Sequence, residues 1–473
     1  MQLGILEGIY SQKGPDFEGS YPLNLAPKFE AQGISDGYLR SAPGINIFAK
    51  SVGTDRGGAV WNGTEYRISG TKLVSVSSTG IVTVIGDVGG SSRVSFAISF
   101  DRLGICSNQQ LWYYNGTSLS QVTSVNLGIV LDVVWMDGYF FTTDGTSIVN
   151  TKLTDPTQVD PLAYTSSEAD PDPIMGLGVR RGELIAFNRY TTEVFYDAAT
   201  TPAPLQRNQS AQIDKGIVGT HAKCRFLESY AFCGSGHNEQ PKIYLMGQGQ
   251  VIPLSSRAID RVLAQVAEAD LPNIVLEAQE GNGSQLLYVH LPNQTLVYDH
   301  SAMEQARTAM WMYRHPAWHR LASGIHGDQA YRGRNFTLAY GQWHCGDLNS
   351  TSIGVLTDDN DNQFGAQSMW QFDCQMVYTE GKGAICHNLE LVGFYGRALP
   401  GTEPHTFMSW TDDGVTWSQE RSLKTGFSGQ RGLRVAWRRN GFFRNWRAFR
   451  FRGMTGTPVS YSRLEANLEP LNG

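Results

Sequence analysis

The chain has 473 residues, of which 41% are hydrophobic and 17% charged, with a formal net charge of −6. That length allows two or three domains around a large core, and the acidic balance excludes a surface that attracts nucleic acid globally. The start, Met1-Gln2-Leu3-Gly4-Ile5-Leu6-Glu7, lacks the basic and apolar regions of a secretory signal, and no apolar run is long enough for a membrane-spanning helix.

Residues 1–50 are rich in turn formers, among them Gly14-Pro15, Tyr21-Pro22, Ala26-Pro27 and Pro43-Gly44, and are expected to form an extended arm on the next domain. From 51 to 360 the chain alternates strand and turn. Aromatic strands stop at Asn-Gly-Thr or Asp-Gly-Thr three times: Val60-Trp61 before Asn62-Gly63-Thr64, Leu111–Tyr114 before Asn115-Gly116-Thr117, and Tyr139–Phe141 before Asp144-Gly145-Thr146. Such turns supply the positive φ that tight hairpins need. Predicted strands include Glu65–Ser69, Lys72–Val76, Gln110–Tyr114, Leu184–Asn188, Lys242–Met246 and Gln294–Tyr298. Grouped in fours, they predict a β-propeller of about six blades, with seven also compatible. Ser255-Ser256 ahead of Ile259, Val262, Leu263 and Val266 predicts one amphipathic helix. After the acidic run 358–362, expected to be a solvated linker, residues 366–473 predict a β-sandwich. Its strands are placed near Cys374–Tyr378, Cys386–Phe394, Thr406–Ser409, Gly432–Arg438 and Arg447–Phe451. The fold class is therefore all-β.

Against that background, few residues of this chain form a pattern that chemistry needs. The six cysteines are scattered without CxxC spacing and read as reduced, buried thiols. The 358–362 run lacks the Gly and Glu of a calcium loop, with Gln363 and Met369 in those places. His315 and His319 are separated by the helix-breaking Pro316, and His344-Cys345 has no matching pair. Gly176-Leu177-Gly178 lacks a third glycine. Asp412-Asp413-Gly414-Val415-Thr416-Trp417 matches most of the Asp-box, a hairpin turn motif, with Trp410 where a Ser is usual. No catalytic set, metal site or cofactor site is read.

The strongest remaining signal is basic. From Arg421 to Arg452 there are ten basic residues and no acidic one. In Trp446–Arg452, period-2 alternation puts Phe449 and Phe451 on one face and Arg450 and Arg452 on the other. Arg438, Arg439, Arg444, Arg447, Arg450 and Arg452 are the candidate partner-interface residues. Three readings stand: a solvated face, pairing with an acidic protein partner, and direct DNA contact.

Several phrases carry a family likeness: Gly37–Ile45, Asp214–Thr220 leading into Glu228–Phe232, His290-Leu291-Pro292 with Leu296–Asp299, Tyr331-Arg332-Gly333, and Cys345-Gly346-Asp347. Together they resemble the packaged-DNA stabilisation proteins, or tail hubs, of short-tailed phages. The resemblance runs from about 37 to 350; the first 36 residues and the loops of the last hundred depart most from it. It implies a non-enzymatic virion tail protein forming a ring, taken to be hexameric, below the portal and its adaptor. It further implies partners in the tail needle and tailspikes, and indirect retention of DNA by the assembled plug. The alternative is a glycan-binding or carbohydrate-active propeller, for which Trp311, Trp318 and Trp343 would be the stacking candidates.

Overall fold

Short strands joined by left-handed turn residues build the first two-thirds of the chain, as shown by a computed structural model that describes residues 1–6, 8–11, 17–30, 34–281, 283–302 and 318–471. Gly14-Pro15, Trp311, His315 and Pro316 lie outside the described residues. Seven antiparallel sheets of four or five strands follow one another along the chain. Their first strands are Asp55–Trp61, Ser95–Ile98, Asp132–Met136, Ile174–Arg180, Lys223–Phe226, Val275–Gly281 and Gly333–Ala339. These first strands lie side by side around a common axis, and Gly333–Ala339 returns to lie against Asp55–Trp61. The propeller thus has seven blades rather than about six.

The second strands of the blades are buried on both faces, whereas outer strands such as Val82–Asp87 are not. In Thr64–Ser69, Tyr66 and Ile68 pack with Leu103, Ile105 and Tyr114 of the second blade. The opposite face carries Glu65 and Arg67, both buried, toward the seventh blade. Arg67 donates to Glu65 at 2.7 Å and to the carbonyl of Asn335, and Glu65 meets His344 at 2.6 Å. Burial pushes the Glu65 carboxyl up, but His344 and Arg67 outweigh it and hold it below its usual range.

The turns differ from expectation. Asn62-Gly63 is a two-residue hairpin with φ of 49° and 75°. Asn115 and Asp144 instead cap their turns with side-chain oxygens: Asn115 accepts from the amides of Thr117 and Ser118, and Asp144 from those of Thr146 and Ser147. The two-residue hairpins of the third, fourth and fifth blades fall at Asp137-Gly138, Arg181-Gly182 and Leu227-Glu228. The predicted helix is present at Arg257–Ala264, capped by the Ser256 hydroxyl, with Ile259 and Leu263 buried beside the fifth blade.

The last blade is completed from far away in sequence. Gly44–Lys50 pairs with Ser352–Thr357 and forms the outer strand of the sheet that begins at Gly333. Ile45 is fully buried there, and a Cβ on Gly354 would sit 2.3 Å from it.

Outside the blades, apart from a two-stranded ribbon of Gly8–Ser11 and Phe17–Ser20, two sheets face each other. One comprises Leu25–Lys28, Tyr38–Ser41, Ser460–Pro470, Ala384–Gly393 and Val435–Arg438, with Gln2–Leu3 and Phe442–Phe443 alongside. The other comprises Trp370–Asp373, Trp446–Gly453, His405–Thr411 and Arg421–Lys424, with Val377–Tyr378 beside Trp446–Gly453. Trp370, Trp437, Phe449 and Phe451 fill the space between them. Of the strand expected at Cys374–Tyr378 only Val377–Tyr378 forms one; the Cys374 amide still donates to the Phe449 carbonyl, but the Phe449 amide donates to the Cys374 sulfur instead of continuing the ladder.

Between the two parts, Leu23 bonds to Gln371 on one side while its neighbours bond to Arg320 on the other. Asn24, at φ 54°, donates to the carbonyls of Ala322 and Met369 at 2.9 and 2.7 Å. The acidic run 358–362 is braced rather than solvated. Carbonyls of Asn360 and Asn362 accept from Gly44 and Ile45, and Asp358 pairs with Arg40. Asp361 accepts from Thr455 at 2.8 Å, and burial pushes its carboxyl up to about 6. The Thr455 hydroxyl also reaches the Thr457 carbonyl, so a neutral acid at 361 satisfies the network better than a charged one.

Two outcomes follow from these contacts. Ile45→Ala is expected to cost about 2–5 kcal/mol in denaturant unfolding, with faster amide exchange in Ser352–Thr357. For Asp361, the folded chain holds the proton more tightly than the unfolded one, so stability falls as pH rises from about 4 through about 6. Asp361→Asn is therefore expected to raise the melting temperature at pH 8, and the gain should vanish by pH 4.

Candidate partner interface

The basic segment divides once it is folded. Arg447 lies in the strand Trp446–Gly453, with its side chain 3% exposed. Its Nε and Nη2 donate to the two oxygens of Asp412 at 2.7 and 2.8 Å. Its Nη1 donates to the Asn440 carbonyl at 2.6 Å and its Nη2 also to that of Phe442 at 2.9 Å. The guanidinium lies against the rings of Trp410 and Phe443. This use of a planar fork is open to Arg and closed to Lys. Arg450 makes a bidentate pair with Asp373 and stacks 3.8 Å over Trp417. Arg452 pairs with Glu420. Phe449 and Phe451 are fully buried on the other face, as the alternation predicted.

Arg438, Arg439 and Arg444 are exposed. They flank a turn that is fixed from within. Asn440 is fully buried and donates to the Trp437 carbonyl, while Arg421 holds the Asn440 side chain and the Arg438 carbonyl, each at 2.7 Å. Arg439 adopts φ 58°. Phe442, 59% exposed, stands among these arginines and was not singled out from sequence, although Asn440-Gly441 marks the turn that presents it. Arginines around an exposed aromatic on a fixed backbone have the composition of a protein-binding hot spot.

The other sequence candidates have structural roles. In the Asp-box segment the residue that takes the turn amides is Asp413, not Asp412: it accepts from Val415 and Thr416, both at 2.8 Å. The Thr416 hydroxyl and these amides hold its carboxyl well below the usual range. Gly176 and Gly178 lie in a first strand, where a Cβ would meet Lys223 and Tyr230. His319 is buried, and burial lowers its pKa to about 4. All six cysteines are free thiols, five of them buried; burial pushes Cys233 and Cys374 up to about 12. No cluster of three or more metal-binding side chains occurs among the described residues. No helix among them is long and apolar enough to cross a membrane.

These features define a scaffold of two β modules joined by one shared arm. The family model described as bacteriophage P22 Gp10, beta-propeller, matches residues 1–361, and its beta-sandwich counterpart matches 369–469. The tail hub protein gp10 of Salmonella phage P22 is 30% identical, over 99% of this chain and 99% of its own length. This chain belongs to the phage P22 Gp10 family. Among solved structures, the N-terminal domain of Nup159 is 8% identical, with TM-score 0.39 over 74% of this chain and 98% of that one. The designed Ika8 protein is 10% identical, with TM-score 0.36 over 66% of this chain and 99% of that one. At those scores neither bears on the present protein.

Arg447→Ala leaves Asp412 without its partner and two carbonyls without their donor. It is expected to cost about 2–4 kcal/mol in denaturant unfolding. Arg447→Lys should recover only part of the loss.

Proposed function

We propose that this protein is the tail hub of a short-tailed phage. In this reading, copies assemble in the virion tail as a ring, hexameric in the fullest form of the proposal, below the portal and its adaptor. The ring closes the channel, retains packaged DNA as part of the assembled plug, and holds the tail needle and tailspikes. Its work is mechanical and needs no cofactor; DNA is contacted only indirectly. The chain divides into an arm (1–50), a propeller (51–360) and a sandwich (366–473), with the arm lending strands to both modules. The observation that carries the reading is the end-to-end similarity to a tail hub, across both modules and in the same order.

Within this reading the sandwich turn 438–444 meets an acidic protein surface. Arg438, Arg439 and Arg444 make the contacts, while Arg447, Arg450 and Arg452 hold the backbone that presents them. A closed ring then multiplies weak contacts, since each copy uses two different surfaces.

Mass measurement and negative-stain imaging of the full chain, with and without a portal–adaptor complex, test this. Rings are expected on the complex. A chain that stays monomeric and unattached would overturn the proposal. Replacing Arg438, Arg439 and Arg444 together with Glu should leave the melting temperature unchanged and abolish incorporation. Normal incorporation would remove this turn from the interface.

A further inference from the structure

The starts of the first strands gather charged groups around the propeller axis. A cavity of about 420 Å³ opens there, lined among others by Asp55, Arg56, Arg93, His290, Arg334 and Asn335. It straddles the seam where the seventh blade meets the first, and it also touches the second and sixth.

Each carboxylate at this place is already engaged. Asp55 lies 2.9 Å from Arg67 and accepts from the Asn335 side chain at 2.7 Å. Glu277 takes Arg93 at 2.5 Å, the Asn335 amide at 3.0 Å and His290 at 3.1 Å. Burial lowers the His290 pKa to about 3, so this imidazole is neutral and adds no charge. Arg56 is tied to neutral groups only: the carbonyls of Ser92, Gly70 and Gly89 and the hydroxyl of Ser107, all within 2.8 Å.

That leaves Arg334. It sits where the seventh blade's first strand bulges between Arg334 and Thr337, with Asn335 at φ 58°. Bulges re-aim side chains and recur beside binding sites. The bulge gives the Asn335 amide to Glu277 and sets Arg334 in the cavity wall. The Arg334 guanidinium has no hydrogen-bond or ion-pair partner among the described residues. Its side chain is half-buried, and that burial lowers its pKa to about 10. This half-buried guanidinium lies beside Arg56 and Arg93, and the one carboxylate that attracts it among the described residues, Glu277, is already paired with Arg93. The lining therefore offers two arginines, Arg334 and Arg56, without a carboxylate partner among the described residues, beside the Arg93–Glu277 ion pair. A planar fork of donors matches a tetrahedral oxyanion. At about 30 Å³ per water, the cavity has room for such an anion with its hydration.

We propose that this axial cavity is a phosphate-type oxyanion site, with Arg334 as the principal ligand and Arg93 and Arg56 supplying the surrounding field. Because its walls come from the first, second, sixth and seventh blades, a bound anion braces the closure of the ring. The site stands independently of the tail-hub reading.

The test is calorimetric titration and thermal unfolding of the full chain with inorganic phosphate or sulfate, against chloride at matched ionic strength. Saturable binding is expected, with a melting temperature that keeps rising with the logarithm of phosphate concentration. Arg334→Met removes no hydrogen bond or ion pair among the described residues, keeps the apolar stem and should fold, with affinity reduced about ten- to a hundredfold. Arg334→Lys should fall between the two. Equal effects of chloride and phosphate, or undiminished binding by Arg334→Met, would overturn the site. In the unsubstituted protein, phosphate should also slow amide exchange across Gly333–Ala339. Exchange there that is indifferent to phosphate would overturn it without any variant.

Discussion

The ladder between Gly44–Lys50 and Ser352–Thr357 is the constraint on which the rest of the molecule depends. It joins segments about 300 residues apart and turns a row of seven sheets into a ring. The length-dependent part of the loop-closure entropy for such a separation is roughly 5 kcal/mol. Against it stand six paired positions and the burial of Ile45 and Ala49. Each hydrogen bond contributes about 1 kcal/mol and a buried Ile about 1.5–3 kcal/mol. Gains and cost are of similar size. The ring therefore closes as a complete strand, supported by the Asn360 and Asn362 carbonyls that grip the strand's first residues.

The same arm couples the two modules. Gln2–Leu3, Leu25–Lys28 and Tyr38–Ser41 belong to the sandwich, and Gly44–Lys50 belongs to the propeller. Leu23 and Asn24 lie between them, with backbone and side-chain bonds in both directions. Pulling the arm from either module removes buried strand pairing from the other. A protein built this way transmits force through ladders rather than through a flexible linker, which suits a role in an assembly.

The strands that show alternation, such as Glu65–Ser69 and Lys72–Val76, were legible in the sequence, as were Ser256-capped α-helix 257–264 and the inward Phe449 and Phe451. The blade count was less legible because several of the innermost strands do not read as strands. Asp55-Arg56-Gly57-Gly58 looks like a loop, yet it opens the first blade. Its charges are answered by Arg67 and Asn335, and a Cβ on Gly57 would meet Val94 of the neighbouring blade. Val275–Gly281 contains Glu277, Ala278 and Gln279, helix formers by local preference, and tertiary pairing overrides them. Turns such as Leu227-Glu228 carry no Gly or Asn to announce their positive φ. Partners that arrive from another blade leave no local mark.

The basic segment illustrates the same separation between sequence charge and surface charge. Of its ten cations, Lys424, Arg434, Arg447, Arg450 and Arg452 each pair with a carboxylate from elsewhere in the same module. Arg421 is spent on the turn that it holds. Among the described residues, what reaches solvent without an ion-pair partner is concentrated at Arg438, Arg439 and Arg444, with Arg431 further along. A diffuse field over thirty residues would attract any polyanion. A few arginines around Phe442 on a backbone fixed by Asn440 and Arg447 instead demand shape as well as opposite charge. An apolar ring of this kind gains nothing from a uniform phosphate backbone, so its place among arginines is what separates the proposed protein contact from a general polyanion site.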